Sequence, residues 1–187
     1  MNLIKLKLMC IKDHIPIVRD ETILYIENII RNNNFKNILE IGTGYGYSAN
    51  FLCNKISDLK IDTIEKNINN FLIASSLPNK NINYILASAF DWKPSIDYDL
   101  IFIDGPKNKQ EILFEKFSHN LVDKGLIIID NIYLKDVKPI NKNKKILLKK
   151  NFEFKKYLLN LINWNVKILD IDDGIAICKR INNEYGS

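Results

Sequence analysis

Three oxygen-bearing side chains stand at the ends of two apolar segments. The segment "YDLIFID" closes on Asp104, and "GLIIIDN" closes on Asp130 and Asn131. If these segments are neighbouring strands of a parallel sheet, three hard oxygen donors converge on one point, as Mg²⁺ prefers. The same residue types also serve as helix N-caps and turn formers. These positions alone therefore leave a metal site and a purely structural role open.

A glycine-rich turn provides a second candidate site. In "EIGTGYGYS" (40–48) the glycines allow a tight backbone and close approach of a ligand, and the N-terminus of the following helix favours an anionic group. Glu65 ends the next strand-like segment, 23 residues after Gly42, where it can accept hydrogen bonds from ribose hydroxyls. Each feature alone fits an ordinary strand–helix turn or a helix-start acid, but together they indicate a nucleoside-containing cofactor. Tyr47 occupies the third small position of the dinucleotide fingerprint and argues against nicotinamide.

Apolar strand-like segments alternate with segments of helical spacing, and this alternation positions the candidate residues. Strands are predicted at 37–42, 61–65, 83–88, 98–104 and 125–131, and helices at 21–32, 47–56, 67–76, 107–121 and 152–163. Segments 166–171 and 174–180 flank the turn Asp172-Asp173-Gly174 and predict a terminal hairpin. The expected fold class is α/β, with a mostly parallel sheet, helices on both faces and a C-terminal antiparallel hairpin.

Length and composition narrow the class of protein. The chain has 187 residues, 47% of them apolar, so we expect one domain (1–187) with an N-terminal helical cap (1–34) and a basic insertion (132–163). Lys5 and Lys7 interrupt the apolar N-terminal region, which is not typical of a signal peptide. No run approaches the roughly eighteen apolar residues of a membrane span. Three scattered cysteines fit buried thiols in a reducing compartment, so a cytoplasmic location without a membrane partner is expected.

Positive charge is concentrated in one segment. Between Lys135 and Lys156 there are nine lysines against Asp136 and Glu153, a balance of +7. Because the whole chain carries +5, the remaining residues sum to −2. The segment is either a solvated helix face or an electrostatic footprint for a polyanion such as RNA.

Four motifs, in this order, resemble the metal-dependent O-methyltransferases of the catechol type: "ILEIGTGYGYSANFLC", "IDTIE", "YDLIFIDGPK" and "LIIIDN". The resemblance covers nearly the whole chain and implies a Rossmann-like class I methyltransferase that uses S-adenosylmethionine. It implies that Mg²⁺ or Mn²⁺ is bound by Asp104, Asp130 and Asn131. The cofactor-binding positions that it implies are Ile17, Glu40, Gly42, Gly44, Ser48, Glu65, Ser88, Ala89 and Asp104, with Glu40 and Ser48 flanking the methionine moiety and Ser88–Ala89 the adenine.

Lys107 is the candidate catalytic residue. It stands three residues after Asp104, as the catalytic lysine does in the Asp-x-x-Lys motif of the family that the chain resembles. Methyl transfer needs a nucleophilic oxygen, and a divalent cation lowers the pKa of a hydroxyl that it binds. Lys107 is then the proton acceptor or the electrostatic partner of the oxyanion, although a solvated surface lysine is the alternative. Relatives often carry tyrosine three residues later, where this chain has Gln110.

The prediction of the acceptor substrate rests on two further features. "HIPIVRDE" (14–21) resembles the segment before the first helix in bacterial tRNA 5-hydroxyuridine methyltransferases, and the basic segment offers Lys144, Lys145, Lys149 and Lys150 to an RNA. The expected function is O-methylation of 5-hydroxyuridine at the wobble position of tRNA. Methylation of a small catechol-like metabolite is the alternative, since both acceptors present a hydroxyl beside a second oxygen. A non-catalytic RNA-binding module is a third possibility. Relatives suggest a homodimer.

Overall fold

The computed structural model describes residues 2–181, which form a seven-stranded sheet with helices on both faces. The strands are β1 (Asn37–Ile41), β2 (Lys60–Glu65), β3 (Ile82–Leu86), β4 (Tyr98–Ile103), β5 (Leu121–Asp130), β6 (Trp164–Leu169) and β7 (Ile175–Arg180). Their order across the sheet is β3-β2-β1-β4-β5-β7-β6. The first five strands in that order pair in parallel, and β7 pairs antiparallel with both β5 and β6. The predicted fold class is therefore confirmed.

Helices cover the two faces of the sheet. They are α1 (Leu3–Lys12), α2 (Asp20–Asn33), α3 (Tyr47–Lys55), α4 (Ile68–Ser75), α5 (Gln110–Ser118) and α6 (Lys142–Leu159), with a single 3₁₀ turn at Lys107–Lys109. The central strands are buried on both faces, as their uninterrupted apolar runs predict. In β4, Leu100 and Phe102 pack with α1, α2 and α3, whereas Ile101 and Ile103 pack with α5 and α6.

Strand order reverses between β1 and β4. From β1 the chain proceeds outward to β2 and β3, then crosses back so that β4 lies on the other side of β1. The reversal therefore lies at the carboxyl ends of β1 and β4, which is where open α/β sheets bind ligands. Among residues 2–181, no helix combines the length and apolar character needed to cross a membrane.

Several element boundaries differ from those predicted. Helix α6 begins at Lys142 and ends at Leu159, whereas the prediction was 152–163. The carboxamide of Asn141 accepts a hydrogen bond from the backbone N–H of Lys144 at 2.9 Å and so caps the helix there. The first turns of α6 bury no side chain, so no apolar stripe marks them in the sequence. Helix α1 lies within the predicted helical cap (1–34), but its bounds were not predicted.

The region between β4 and β5 also differs. The predicted helix 107–121 begins as the 3₁₀ turn at Lys107–Lys109 and ends at Ser118, and β5 begins at Leu121 rather than at residue 125. The pairing of β4 with β5 shifts register between Tyr98 and Leu100, so Leu121 pairs with Tyr98 before the apolar run starts. Exposed Asp123 and Lys124 interrupt the apolar pattern there and hide the start of the strand.

Replacement of Phe117 by alanine tests how α5 holds the strand ends in place. The Phe117 side chain is fully buried against Trp92 and β4–β5 residues, so Phe117→Ala should lower the free energy of unfolding by about 3–5 kcal/mol in urea denaturation. Phe152→Ala, on α6, is the matched control because that ring is 51% exposed and its loss should change stability by less than about 1 kcal/mol. Equal losses in the two variants would contradict this packing.

Candidate active site

A cavity of about 460 Å³ opens at the carboxyl ends of the parallel strands, at the reversal of strand order. Most side chains that the sequence singles out lie on its wall. Those that line it are Ile17, Gly42, Gly44, Glu65, Ser88, Ala89, Asp104, Lys107, Asp130 and Asn131. The sequence therefore predicted one contiguous site from residues that are scattered over more than a hundred positions of the chain.

The glycine turn after β1 forms the floor of this cavity. A Cβ atom on Gly42 would lie 2.5 Å from the carbonyl oxygen of Asp104, and its φ of 109° is one that other residues rarely adopt. The backbone N–H of Asp104 in turn donates to the carbonyl of Ile41 at 3.0 Å. Glycine at position 42 thus allows the loop after β4 to lie directly against the turn after β1.

Glu65 connects the glycine turn to the end of β2. One carboxylate oxygen accepts a hydrogen bond from the N–H of Gly44 at 2.9 Å, and the other accepts from the N–H of Asn67 at 2.8 Å. The residue is 9% exposed and lines the cavity. Because each carboxylate oxygen can accept a further hydrogen bond, Glu65 can hold a hydroxyl group of a ligand while it fixes the turn.

Asp104, Lys107, Asp130 and Asn131 form an oxygen-rich corner at one end of the cavity. Strands β4 and β5 are parallel neighbours, with Ile103 opposite Ile129, so the residues that follow each strand meet there. The ammonium group of Lys107 donates to Oδ1 of Asp104 at 2.6 Å. Burial and the nearby negative charge of Asp104 raise the pKa of Asp130 to about 6. The corner therefore concentrates more negative charge than Lys107 offsets.

Two carboxamides hold the backbone of this corner. The Nε2 atom of Gln110 donates to the backbone carbonyl of Asp130 at 2.8 Å. The Nδ2 atom of Asn151 donates to the backbone carbonyl of Asn131 at 3.4 Å. Asn131 adopts a left-handed backbone conformation with φ of 61°, and its N–H donates to the carboxylate of Asp130 at 2.8 Å. Gln110 thus has a structural role at the position where relatives often carry tyrosine. Asn151 was missed, although a polar residue on the apolar face shared with Phe154 and Leu158 was a usable signal.

Residues 15–19 cover part of the cavity. Ile15, Pro16, Ile17 and Arg19 line it, and a Cβ atom on Gly44 would lie 3.2 Å from a methyl carbon of Ile15. The guanidinium group of Arg19 donates to the carboxylate of Asp136 at 2.5 Å, which links this segment to the loop after β5. Sequence reasoning gave Arg19 no role.

A model of the O-methyltransferase family matches residues 3–181, nearly the whole chain. The chain belongs to the O-methyltransferase family. This membership confirms the reaction class that the sequence motifs predicted, S-adenosylmethionine-dependent O-methyl transfer.

Known structures of this methyltransferase fold are similar over nearly their full lengths. A candidate caffeoyl-CoA O-methyltransferase from Staphylococcus aureus is 29% identical, with a TM-score of 0.88, and the match covers 97% of this chain and 93% of that chain. The Bacillus cereus O-methyltransferase in complex with SAH is 20% identical, with a TM-score of 0.80 and coverage of 96% and 90%. TomG from Streptomyces achromogenes, in complex with SAM, is 18% identical, with a TM-score of 0.78 and coverage of 95% and 88%.

Two predicted cofactor-binding residues of this methyltransferase lie behind the cavity wall. Glu40 and Ser48 are buried beneath the glycine turn, where the Ser48 hydroxyl donates to the Glu40 carboxyl. The Thr63 hydroxyl donates to the other oxygen of Glu40 at 2.5 Å. Burial raises the pKa of Glu40 to about 7. Their predicted contact with the methionine moiety stays a prediction.

The four lysines predicted to bind RNA lie outside the cavity of the methyltransferase. Lys144, Lys145, Lys149 and Lys150 are exposed on the first half of α6. Lys149 has a weak contact of 3.7 Å with Glu153, in which both side chains are largely exposed. These lysines are therefore exposed to solvent, and none of them lines the cavity that contains Lys107 and the oxygen-rich corner.

Glu40 should make stability depend on pH in a defined window. Its pKa of about 7 in the folded protein exceeds its ordinary value of 4.5, so between these values the folded state holds a proton that the unfolded state releases. Its contribution to the free energy of unfolding should therefore fall by up to about 3 kcal/mol as the pH rises from 4.5 to 7, and stay constant above. Urea denaturation of the wild type and of Glu40→Gln across this range measures the difference. If the difference in free energy of unfolding between the two proteins does not change with pH, the raised pKa of Glu40 is wrong.

Proposed function

We propose that this protein transfers a methyl group from S-adenosylmethionine to the 5-hydroxyl group of 5-hydroxyuridine at the wobble position of tRNA, with Mg²⁺ or Mn²⁺ bound in the oxygen-rich corner. The observation that carries the proposal is the meeting of Asp104, Asp130, Asn131 and Lys107 in the same cavity as the glycine turn and Glu65. One end of the cavity suits a nucleoside-containing cofactor, and the other suits an oxygen nucleophile.

The cofactor end is formed by the ends of β1, β2 and β3. The Glu65 carboxylate faces the cavity beside the N–H of Gly44, as an acceptor for ribose hydroxyls requires. Ser88 and Ala89 follow β3 on the same wall, where they can flank an adenine ring. Structures of the Bacillus cereus and Streptomyces achromogenes proteins, which share this fold, contain SAH and SAM. These features support S-adenosylmethionine as the methyl donor.

The donor set of the oxygen-rich corner fits a divalent cation that prefers oxygen. Among residues 2–181, no group of three His, Cys, Asp or Glu side chains is placed to hold a metal ion. The corner instead combines two carboxylates, Asp104 and Asp130, with the carboxamide of Asn131, and Mg²⁺ is usually held by one or two carboxylates with waters completing its shell. Bound there, the cation would supply a Lewis acid that lowers the pKa of a substrate hydroxyl. The excess negative charge of the corner supports this assignment.

Lys107 is the proposed catalytic residue. Its contact with Asp104 keeps the ammonium group at the corner, where it can stabilise negative charge that develops on the acceptor oxygen. S-adenosylmethionine would supply the methyl group: the acceptor hydroxyl would give its proton to solvent, its oxygen would bond the methyl carbon as the bond from that carbon to the sulfonium sulfur breaks, and the sulfur would leave as a neutral thioether. The pairing with a carboxylate favours the electrostatic role for Lys107 over the role of proton acceptor.

Charge favours an RNA acceptor over a small one. The oxygen-rich corner treats a catechol and a 5-hydroxyuridine alike, since each presents a hydroxyl beside a second oxygen. The exposed lysines of α6 add a positively charged surface that a polyanionic substrate would use and that a neutral catechol would not. A small catechol-like acceptor remains the second candidate, because the similar Staphylococcus aureus protein bears the name of a caffeoyl-CoA O-methyltransferase.

The metal site is tested by ligand removal and by chelation. Asp130→Ala and Asn131→Ala should each lower kcat by more than about 100-fold, because loss of an outer partner of a metal site alone costs 10–100-fold. S-adenosylmethionine binding, measured by calorimetry, should stay within about threefold because Glu65 and the glycine turn are unchanged. Excess EDTA should abolish methyl transfer, and added Mg²⁺ should restore it.

Asp123→Ala is the matched control for these variants, since Asp123 is an exposed carboxylate on the same strand. It should keep wild-type activity. Full methyl transfer by the wild type in excess EDTA would refute the metal site.

The salt dependence of binding separates tRNA from a small acceptor. If α6 contacts phosphates, the logarithm of tRNA affinity should fall linearly with the logarithm of salt concentration, by about 0.7–0.9 per contact. Replacement of Lys144, Lys145, Lys149 and Lys150 by Gln should raise the KM for tRNA and flatten this slope by up to about 3. Activity on the free 5-hydroxyuridine nucleoside should stay nearly unchanged, because these side chains do not touch the reacting oxygen.

A quadruple control replaces four other exposed lysines, Lys60, Lys80, Lys124 and Lys167, with Gln. It makes the same change in net charge away from α6 and should leave the slope close to that of the wild type. A wild-type KM for tRNA in the α6 variant at physiological salt would show that the segment is only a solvated face.

A further inference from the structure

A second cavity adjoins the first and shares Lys107 with it. It has a volume of about 410 Å³ and lies between the 3₁₀ turn at Lys107–Lys109 and the first half of α6. Its lining residues are Lys107, Asn108, Asn143, Ile146 and Leu147. We call this cavity the α6 groove. Because Lys107 lines both cavities, a ligand in the α6 groove would lie next to the proposed catalytic lysine.

The first half of α6 forms the outer wall of the groove. The buried residues of the helix, Asn151, Phe154 and Leu158, all lie in its second half, which packs on the sheet. Ile146 is 44% exposed, a large fraction for an isoleucine that faces a cavity. The helix therefore extends beyond the core and leaves an apolar surface open beside the active site.

The lining of the α6 groove suits a nucleobase. Asn108 and Asn143 carry carboxamides, each with donors and an acceptor that can pair with the edge of a base. Ile146 and Leu147 provide aliphatic surface for its planar face. The volume of the groove is within the roughly 300–1,000 Å³ typical of ligand sites.

The charge around the α6 groove identifies the kind of molecule that would bring such a base. The two segments that form the groove and its approach, residues 105–110 and 137–150, contain eight lysines and no aspartate or glutamate. An uncharged aromatic metabolite would make no use of this excess. A nucleic-acid strand would place its phosphates against the lysines and its base in the groove.

We propose that the α6 groove binds the nucleotide next to the reacting uridine in the RNA substrate. Asn108 and Asn143 hydrogen-bond the edge of its base, and Ile146 and Leu147 pack against its face. This inference rests on the proposed function, and it makes these four residues determinants of which sequence around the uridine is methylated. Specificity for the neighbouring base is thus separate from the chemistry at Lys107.

The test compares a substrate that has the neighbouring nucleotide with one that lacks it. An anticodon stem-loop containing 5-hydroxyuridine is prepared with each of the four bases beside the modified position, and the free nucleoside serves as the second substrate. The double variant Asn108→Ala/Asn143→Ala should lose about 10-fold or more in kcat/KM on the preferred stem-loop and should discriminate less among the four. Its kcat/KM on the nucleoside should stay within about twofold. Asn28→Ala, an exposed carboxamide on α2, is the control.

A second variant tests the apolar wall independently. Ile146→Asp places a negative charge in the groove and should raise the KM for the stem-loop by about 10-fold or more, whereas Ile162→Asp, at a residue that is 90% exposed, should have little effect. An Asn108→Ala/Asn143→Ala variant with wild-type kcat/KM and base preference would overturn the proposal. An equal loss on stem-loop and nucleoside would also overturn it, because the residues would then act at the reacting hydroxyl.

Binding without chemistry distinguishes a failure of the groove from a failure of the proposed function. Fluorescence anisotropy with a stem-loop that carries plain uridine measures affinity whether or not a methyl group is transferred. Loss of affinity in both groove variants, but not in the controls, supports the groove even if the acceptor proves to be another modified base. If the wild-type protein neither binds nor methylates the stem-loop but methylates a catechol, both proposals are overturned.

Discussion

Two carboxylates share a poorly hydrated corner because β4 and β5 are parallel neighbours whose apolar runs end on acidic residues. Asp130 is 4% exposed, and the Asp104 side chain is 20% exposed. Water would stabilise the charge of each carboxylate, but here the two side chains are largely buried and close together, so their negative charges repel. The ammonium group of Lys107 offsets only part of that charge. Much of the surrounding structure holds this unfavourable arrangement in place. If a cation binds there as proposed, its ligands are already held together before it arrives.

The supports of the corner come from three separate elements. Gly42 lets the loop after β4 lie against the turn after β1, Gln110 at the start of α5 holds the Asp130 carbonyl, and Asn151 on α6 approaches the Asn131 carbonyl. Side chains that donate to backbone carbonyls fix the direction of the residues beside them without entering the cavity. Helix α6 thus contributes to the corner with its second half and forms the α6 groove with its first half. A change in how α6 packs would disturb both.

Local patterns in the sequence predicted the fold, and together with the family resemblance, which supplied positions such as Ser88 and Ala89, they predicted about half of the residues that line the cavity. Apolar runs identified the central strands, and the polar residue after each run identified the corner. The sequence did not show that Glu40 and Ser48 lie behind the glycine turn, since alternation along β1 does not tell which polar side chain finds buried partners such as Thr63. The start of α6 was not predicted for a different reason. A helix that buries no side chain in its first turns leaves no apolar period to detect.

The ion pair of Arg19 with Asp136 has a consequence for the segment that covers the cavity. It joins the segment over the cavity to the loop after β5, and its two side chains are 46% and 78% exposed. An exposed ion pair of this kind contributes only about 0–1 kcal/mol to stability, and salt screens its attraction. The covering segment is therefore tethered at that point by a contact that thermal motion breaks readily. Opening of this ion pair would separate the covering segment from the loop after β5 without breaking any strand pairing of the sheet beneath.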